Sequence, residues 1–403
     1  MAAADSTEVY YDPYDFDINV DPHPTFRRLR EEAPLYYNEK HDLWALSRHA
    51  DIEKGLADWQ TLSNSKSDIL DIIKAAKAGM ELPKGVVLFE DPPLHTLHRG
   101  LMARVFTPRR MNALEGQVRD FCVKCLEPFV GAETFDFAKH LGDVMPMKVI
   151  GMLLGIPDSD QHRVREQTDA MLRTERGKPI EVKQDEIANG QMFAEYVEWR
   201  EKHPSDDLMT VLLNAEFEDE TGTLRRLSRD EVLTYTQVLA GAGNETTGRL
   251  IGWLGKVLAE HPDQRRELAE NPKLIPDAVE ETLRFEPTGP ALARYVMRDV
   301  EYHGRTVPEG SAMLLLVASA NRDDRWHEDP DSFDIHRRDK QHLTFGRGVH
   351  FCLGASLARL EARVAMEEVL KRFPDWEVDY DAAEMAPTSA TMRGWDTLPV
   401  FLR

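Results

Sequence analysis

Residues 342–354 read HLTFGRGVHFCLG, one cysteine behind two glycines and a histidine, and LGASLARLEARVAMEEVLKRF follows Cys352 with an amphipathic helical pattern. Cys352 therefore stands at a helix entrance, where unpaired N–H groups and the helix dipole favour negative charge. A thiolate suits that position.

Three readings of Cys352 compete. A tyrosine-phosphatase type of nucleophile needs histidine directly before the cysteine and arginine after five intervening residues, but Phe351 separates His350 from Cys352 and Arg359 follows after six. An inert packed cysteine leaves the F-G-x-G-x-H-x-C-x-G pattern over Phe345–Gly354 without a cause. The third reading is a thiolate ligand to haem iron.

Upstream of the loop, Ser228 and Glu231 form a capping box. The apolar periodicity from there to Pro262 predicts one helix about 50 Å long, at roughly 1.5 Å per residue. Its middle holds Gly241, Gly243, Thr246, Thr247 and Gly248, poor helix formers, each glycine costing about 1 kcal/mol relative to alanine. Either small residues let a second backbone cross closely, or a flat ligand lies against Ala242 and Gly243. In the second case the Thr246 hydroxyl takes a carbonyl one turn back and opens the helix. Further helices are expected in FRRLREEAP, MNALEGQVRDFCVKCLEPFV and AMEEVLKRF, and strands in LWALSR, VEYHGRTVPEG, MLLLVAS and TLPVFL. Strands near residues 40–50 and 300–320 have to meet, which implies one intertwined unit over residues 1–403 rather than two domains.

The 403 residues carry 71 acidic against 50 basic side chains, a formal charge of −21. That balance argues against sequence-independent binding to nucleic acid or anionic lipid. The longest apolar stretch, Ser311–Ala320, is far short of the roughly 18–20 residues of a bilayer span. The opening MAAADSTEVYYDPYDFD is too acidic for a signal peptide or a membrane anchor. The expectation is a soluble, cytoplasmic protein. Three cysteines rule out a disulfide framework. Cys122 and Cys125 form a C-x-x-C, yet they share an apolar helical face with Phe121, Leu126 and Phe129 and have no second pair nearby, so they read as packed thiols.

Phe345, Gly346, Gly348, His350, Cys352 and Gly354 resemble the haem-binding loop of the cytochrome P-450 family, soluble bacterial type. AGNETT over 242–247 resembles its oxygen-binding helix, and Glu281 and Arg284 in VEETLRFEP match its E-x-x-R. Arg337 falls at the third member of that charge triad, and His95 and Arg99 match its H-x-x-x-R. The resemblance covers essentially the whole chain. It implies a mainly α fold with small β-sheets, a single large α-rich unit around a buried haem b (iron protoporphyrin IX) with the Cys352 thiolate as axial ligand. His95, Arg99, Arg294 and His350 would meet the haem propionates, whose charge is costly to bury unpaired. Phe345, Gly346, Gly354, Ala242 and Gly243 would also touch the cofactor. Glu281, Arg284 and Arg337 would hold the loop, a structural role. The loop amides would hydrogen-bond to the sulfur and temper its electron push, which favours O–O cleavage. Thr246 and Glu245 would be catalytic, an alcohol and a carboxyl that relay protons for O2 activation. Asn244 shows no role in that relay.

No flavin fingerprint occurs, so the resemblance implies a ferredoxin and an NAD(P)H-dependent ferredoxin reductase as electron donors. The stretch between Asp91 and Glu115 lacks acidic residues and carries His95, His98, Arg99, Arg104, Arg109 and Arg110, a basic face for an acidic ferredoxin. Segments similar to the family's substrate contacts are 69–88, Met171 and Leu172, Leu239 and Ala242, 288–292, and 391–395. Leu88, Leu239, Ala242, Thr288, Ala291, Leu292 and Met392 are the candidate pocket residues, mainly apolar, fitting a terpenoid, steroid or fatty acyl chain. Arg173 and Arg393 read as surface residues. The expected activity is hydroxylation of a hydrophobic small molecule, with desaturation or oxidative coupling as an alternative. A haem-based sensor or ligand carrier is the alternative from another class, and the Glu245–Thr246 pair argues against it.

Overall fold

In the computed structural model, which describes residues 8–83, 85–170, 173–183, 190–387 and 390–403, the Ser228 capping box forms as the sequence predicts. Ser228 Oγ accepts from the Glu231 amide at 3.2 Å, and Glu231 Oε2 accepts from the Ser228 amide at 2.6 Å. In chain order, the helices that build the site are α1 (Leu94–Ala103), α2 (Glu115–Leu126), α3 (Met145–Leu154), α4 (Gln161–Ala170), α5 (Arg229–Glu260), α6 (Ile275–Phe285) and α7 (Ala355–Arg372). At 32 residues α5 is the long central helix. Leu114 interrupts the helix expected across MNALEGQVRDFCVKCLEPFV, which splits into Pro108–Ala113 and α2. Cys122 and Cys125 are buried there as expected, and burial pushes the Cys125 thiol up to about 11.

The glycines of α5 serve close packing. A Cβ on Gly248 would lie 2.5 Å from the Gly142 carbonyl oxygen, and one on Gly142 would lie 2.7 Å from that of Gly248. The two backbones thus touch where Phe137–Gly142 forms a π-helical turn. Gly243 faces Ile150 of α3 at 3.0 Å, and Gly255 faces the Phe137 ring. The room left by the missing side chain of Gly243 is taken by α3. Ala242, by contrast, is exposed in mid-helix among buried neighbours, and Gly241 has nothing within 4 Å. The Thr246 hydroxyl donates to the Ala242 carbonyl at 2.9 Å as expected, but α5 stays continuous instead of opening.

The main sheet comprises β1 (Leu35–Asn38), β2 (Leu43–Leu46), β3 (Leu62–Ser63), β4 (Leu292–Val296) and β5 (Ala312–Leu315), ordered β1-β2-β5-β4-β3. β5 runs parallel to β2, with Ala312 opposite Leu43, so the two ends of the chain do meet in one sheet. MLLLVAS is strand only to Leu315 and turns helical over Val317–Ala320. VEYHGRTVPEG folds into its own hairpin, Val300–Tyr302 with Arg305–Val307. Two apolar cores result. One gathers around α5, with Leu239, Leu254 and Val364, and the other around the sheet, with Leu43, Ala293 and Leu315. Among the described residues no helix is long and apolar enough to cross a membrane.

The contact of Gly248 with Gly142 is backbone against backbone and cannot yield as a side chain would. Gly248→Val should lower stability by about 1–3 kcal/mol, read as a lower urea midpoint, whereas Gly241→Ala, with open space around it, should leave the midpoint unchanged or raise it.

Candidate active site

The loop carrying Cys352 is anchored through α6. Arg284, 1% exposed, donates from Nε and Nη2 to the two Glu281 oxygens at 2.8 and 2.7 Å, and to the carbonyls of Asn321, Pro330 and Ser332 at 2.8–3.0 Å. Arg337 Nε adds a bond to Glu281 Oε1 at 3.1 Å. The triad therefore ties α6 to residues 321–337, the segment leading into the loop. Asn321 then accepts from the Leu343 amide at 2.8 Å and donates to Thr344 Oγ1 at 2.9 Å.

A second clamp closes on the loop from α6 to α7. Glu280 takes two bonds from Arg359 at 2.6 and 2.8 Å, His342 Nε2 lies 3.3 Å away, and the Arg359 guanidinium sits 4.6 Å from the Phe345 ring centre. Burial pushes the Glu280 carboxyl up, but Arg359 and His342 overcome it and hold it at about 2.

Inside the loop, Gly346 and Gly348 take φ of +70° and +68°, a left-handed backbone that side chains disfavour. The Cys352 amide donates to the Phe345 carbonyl at 2.8 Å and closes the turn. Protein packs around the Cys352 sulfur on most sides, which raises its pKa, while the Gly354 and Ala355 amides and the charges of Arg99 and Arg359 pull it down. The residue nonetheless has exposed surface. The amides expected at the sulfur are present.

At the edge of the loop the rings of His95 and His350 lie 4.3 Å apart, and His350 Nε2 is 3.2 Å from Asp91 Oδ1. Burial, then His350 and Arg99, push His95 down to about 4. Neither His95 ring nitrogen has a partner. Arg294, 3% exposed, donates to the Ala293 carbonyl at 2.8 Å and has only the charges of Asp68 and Asp91 opposing the burial that lowers its pKa. A buried guanidinium beside an unpartnered imidazole fits an anionic group at this edge. Arg99 donates to the Phe351 carbonyl. These residues fit a flat cofactor that carries carboxylates on one edge and takes a thiolate ligand.

On α5, Glu245 is buried, and its Oε1 accepts from Arg249 Nη2 at 3.0 Å. Burial raises the Glu245 carboxyl against the pull of Arg249. Asn244 Nδ2 donates to Asp169 Oδ1 at 2.9 Å, a contact that gives Asn244 a place in this cluster.

The expected pocket residues come from both cores. Leu239 and Leu88 pack with α5, and Ala291 and Leu292 with the sheet. Thr288 is joined to the C-terminal segment by the Arg393 amide, 2.8 Å from the Thr288 carbonyl. Met392 is half-buried beside it, and Met171 and Leu172 lie outside the described residues. Arg393 is not a surface residue. It is 6% exposed, pairs with Glu286, lies 4.3 Å over the Trp253 ring and donates to the Asn19 and Val20 carbonyls. Of the basic stretch, His95 and His98 are buried, His98 against Glu90 at 2.7 Å, leaving Arg104, Arg109 and Arg110 exposed and free of ion pairs among the described residues. Sequence reasoning passed over Glu280, adjacent to a motif residue, and Asp91, the acid that opens the acid-free stretch. Arg249 and Asp169 carry no motif that could have marked them.

The sequence profile of the family described as Cytochrome P450 matches residues 177–392. Putative cytochrome P450 123 of Mycobacterium tuberculosis is 39% identical over 400 residues, 98% of each chain. Among solved structures, a mutant of P450 EryK in complex with erythromycin B aligns with a TM-score of 0.84 at 31% identity, covering 95% of this chain and 96% of that one. CYP109E1 from Bacillus megaterium in complex with testosterone aligns with a TM-score of 0.84 at 27% identity, covering 96% and 99%. The chain belongs to the cytochrome P450 family, haem-thiolate monooxygenases that carry haem on a cysteine.

Because Glu280 titrates below the ordinary carboxylate range in the folded protein, its clamp adds stability above about pH 4.3 that is lost as the pH falls through about 2. Glu280→Gln should lower Tm at neutral pH, and the gap to the wild type should close as the pH falls from 5 towards 2.

Proposed function

We propose that Cys352 is the thiolate ligand of haem b, with His95, Arg99, Arg294 and His350 at its propionate edge and Ala242 on its distal side. The observation that carries this reading is the exposed Cys352, its sulfur receiving two amides, together with the buried, underpaired Arg294 of β4 and His95 of α1. Bound haem supplies the activation of O2; the chain supplies proton handling and the pocket. Thr246, half-buried, holds its hydroxyl proton on the Ala242 carbonyl at the pocket wall. Glu245, one residue earlier, is a buried carboxyl whose raised pKa lets it carry a proton to the Thr246 hydroxyl.

The substrate we infer is a hydrophobic small molecule of the terpenoid, steroid or fatty acyl class, which the enzyme hydroxylates. Leu88, Leu239, Ala291, Leu292 and Met392 offer it apolar surface, and the relatives with erythromycin B and testosterone support a roomy pocket. Electrons come from a ferredoxin with its NAD(P)H-dependent reductase, docking on Arg104, Arg109 and Arg110, whose exposure and free charge support an acidic partner. The chain works as one unit in the cytoplasm.

Visible spectra of the purified protein titrated with testosterone, a terpenoid and palmitate should show a haem band shifting from low to high spin with one class. A haem band that none of them moves would reject these substrate classes. Cys352→Ser should abolish the thiolate spectrum, and its persistence would remove Cys352 as the ligand. Thr246→Ala should raise NADPH consumed per product formed by about tenfold or more. Unchanged coupling would take Thr246 out of the relay.

A further inference from the structure

Three groups of the anion edge come from three separate elements: Arg294 from β4, His95 from α1 and His350 from the cysteine loop. One residue reaches all three. Asp91 stands just before α1, and its carbonyl accepts from the His95 amide at 3.1 Å. Its Oδ1 lies 3.2 Å from His350 Nε2 and accepts from the Asn64 amide at 3.3 Å, while its Oδ2 accepts from the Ser63 hydroxyl. Ser63 belongs to β3 and lies opposite Tyr295 of β4, the residue after Arg294. After burial, the charges acting on Arg294 are those of Asp68 and then Asp91.

These contacts are made away from solvent. Ser63 and Asn64 are buried, and the side chains of Asp91 and His350 are 14% and 8% exposed. Burial pushes the Asp91 carboxyl up, but the bonds from His350, Ser63 and the Asn64 amide outweigh it and hold it below the ordinary carboxylate range. An ionised carboxyl only accepts, so the hydrogen in its contact with His350 sits on Nε2. Among the described residues Asp91 is the one side chain that hydrogen-bonds this ring, which also meets the His95 ring at 4.3 Å. An imidazole held at one nitrogen keeps its orientation and presents the other nitrogen to a second partner. Without Asp91, no side-chain bond would stop the His350 ring from turning.

We propose that Asp91 is the positioning residue of this edge: its carboxylate fixes the His350 ring through Nε2 and ties the cysteine loop, α1 and β3 into one frame, so that the carboxylates of a flat cofactor meet groups already in place. Groups that need no ordering on binding hold a ligand more tightly than mobile ones. Asp91 acts through His350, since a carboxylate turned to the cofactor's own would repel it. The inference rests on the haem reading of this edge proposed above.

The test is the rate at which the purified holoenzyme loses haem to excess apomyoglobin, together with the propionate bending bands of its resonance Raman spectrum. Asp91→Ala should speed haem loss about 10–100-fold and move the propionate bands, as His350→Phe does. In the double variant haem loss should be no faster than in His350→Phe alone, because the first residue acts through the second. Asp91→Asn keeps an oxygen for His350 Nε2 and should return both readouts most of the way to wild type. An Asp91→Ala variant with the wild-type rate of haem loss and unmoved bands overturns the proposal. So do effects of Asp91→Ala and His350→Phe that simply add, which would make Asp91 a brace for residues 63–65 and nothing more. If Asp91→Ala does not fold, Asp91→Ser, too short to reach the ring, carries the same test. If His350→Phe and Arg294→Gln both leave haem loss and the bands unchanged, the haem reading of the edge has failed; if His350→Phe speeds haem loss and Asp91→Ala does not, only the Asp91 inference has.

Discussion

One guanidinium spends all five of its N–H donors inside the protein, and the placement of the cysteine loop depends on it. Arg284 gives two bonds to Glu281 and three to the carbonyls of Asn321, Pro330 and Ser332. An arginine has no more to give. A buried ion pair is a poor source of stability by itself, because desolvation offsets most of the attraction. Here the attraction does a geometric job: a backbone segment with little regular structure, residues 321–337, is fixed by carbonyls that all converge on one cation. Taking away Glu281 would leave that cation uncompensated at a cost of about 3–5 kcal/mol. The same loss would release the anchor of Asn321, which holds Leu343 and Thr344 at the start of the loop.

The loop edge follows the opposite logic. Arg294 and His95 are as buried as Arg284, yet they are underpaired, and burial drives the pKa of each towards its neutral form. A fold that holds such groups ready gains stability from any ligand that completes them, by mass action on the folded state alone. On the reading proposed for this edge, haem binding and folding of the loop would be linked. Fully satisfied polar groups build the support, and unsatisfied ones mark the site.

This division also explains what could be read from the chain in advance. The loop glycines, Cys352, the E-x-x-R pair and the capping box are local or carry fixed spacing, and each lies where the sequence places it. Gly243 was open to two readings, because a glycine in a helix shows that something comes close without showing what; on the side that a side chain would fill, Ile150 stands. Arg393 was misread because its burial depends on Glu286, Trp253 and the N-terminal carbonyls at 19 and 20, partners up to several hundred residues away that leave no periodic trace. Asp169 was invisible for the same reason. Its contact is with Asn244, 75 residues on, at a crevice lined also by Glu245 and Arg249 that only the packing of α4 on α5 creates.

The central helix itself joins these two kinds of ground. Residues four apart share a face, so Val238, Ala242 and Thr246 share the less buried side of α5, while Glu245, Arg249 and the glycines at 248 and 252 face the packed side. Adjacent residues on a helix stand about 100° apart, and a carboxyl directly before an alcohol therefore spans from one face to the other. The relay proposed for Glu245 and Thr246 would run around the helix without any break in the backbone hydrogen bonds. The continuity of α5 through Arg229–Glu260 is consistent with that path. The contact of Gly248 with Gly142 is what brings Phe137–Gly142 close enough to wall the crevice from the far side. Close packing of the two backbones and the walling of this crevice are thus two consequences of the same missing side chains.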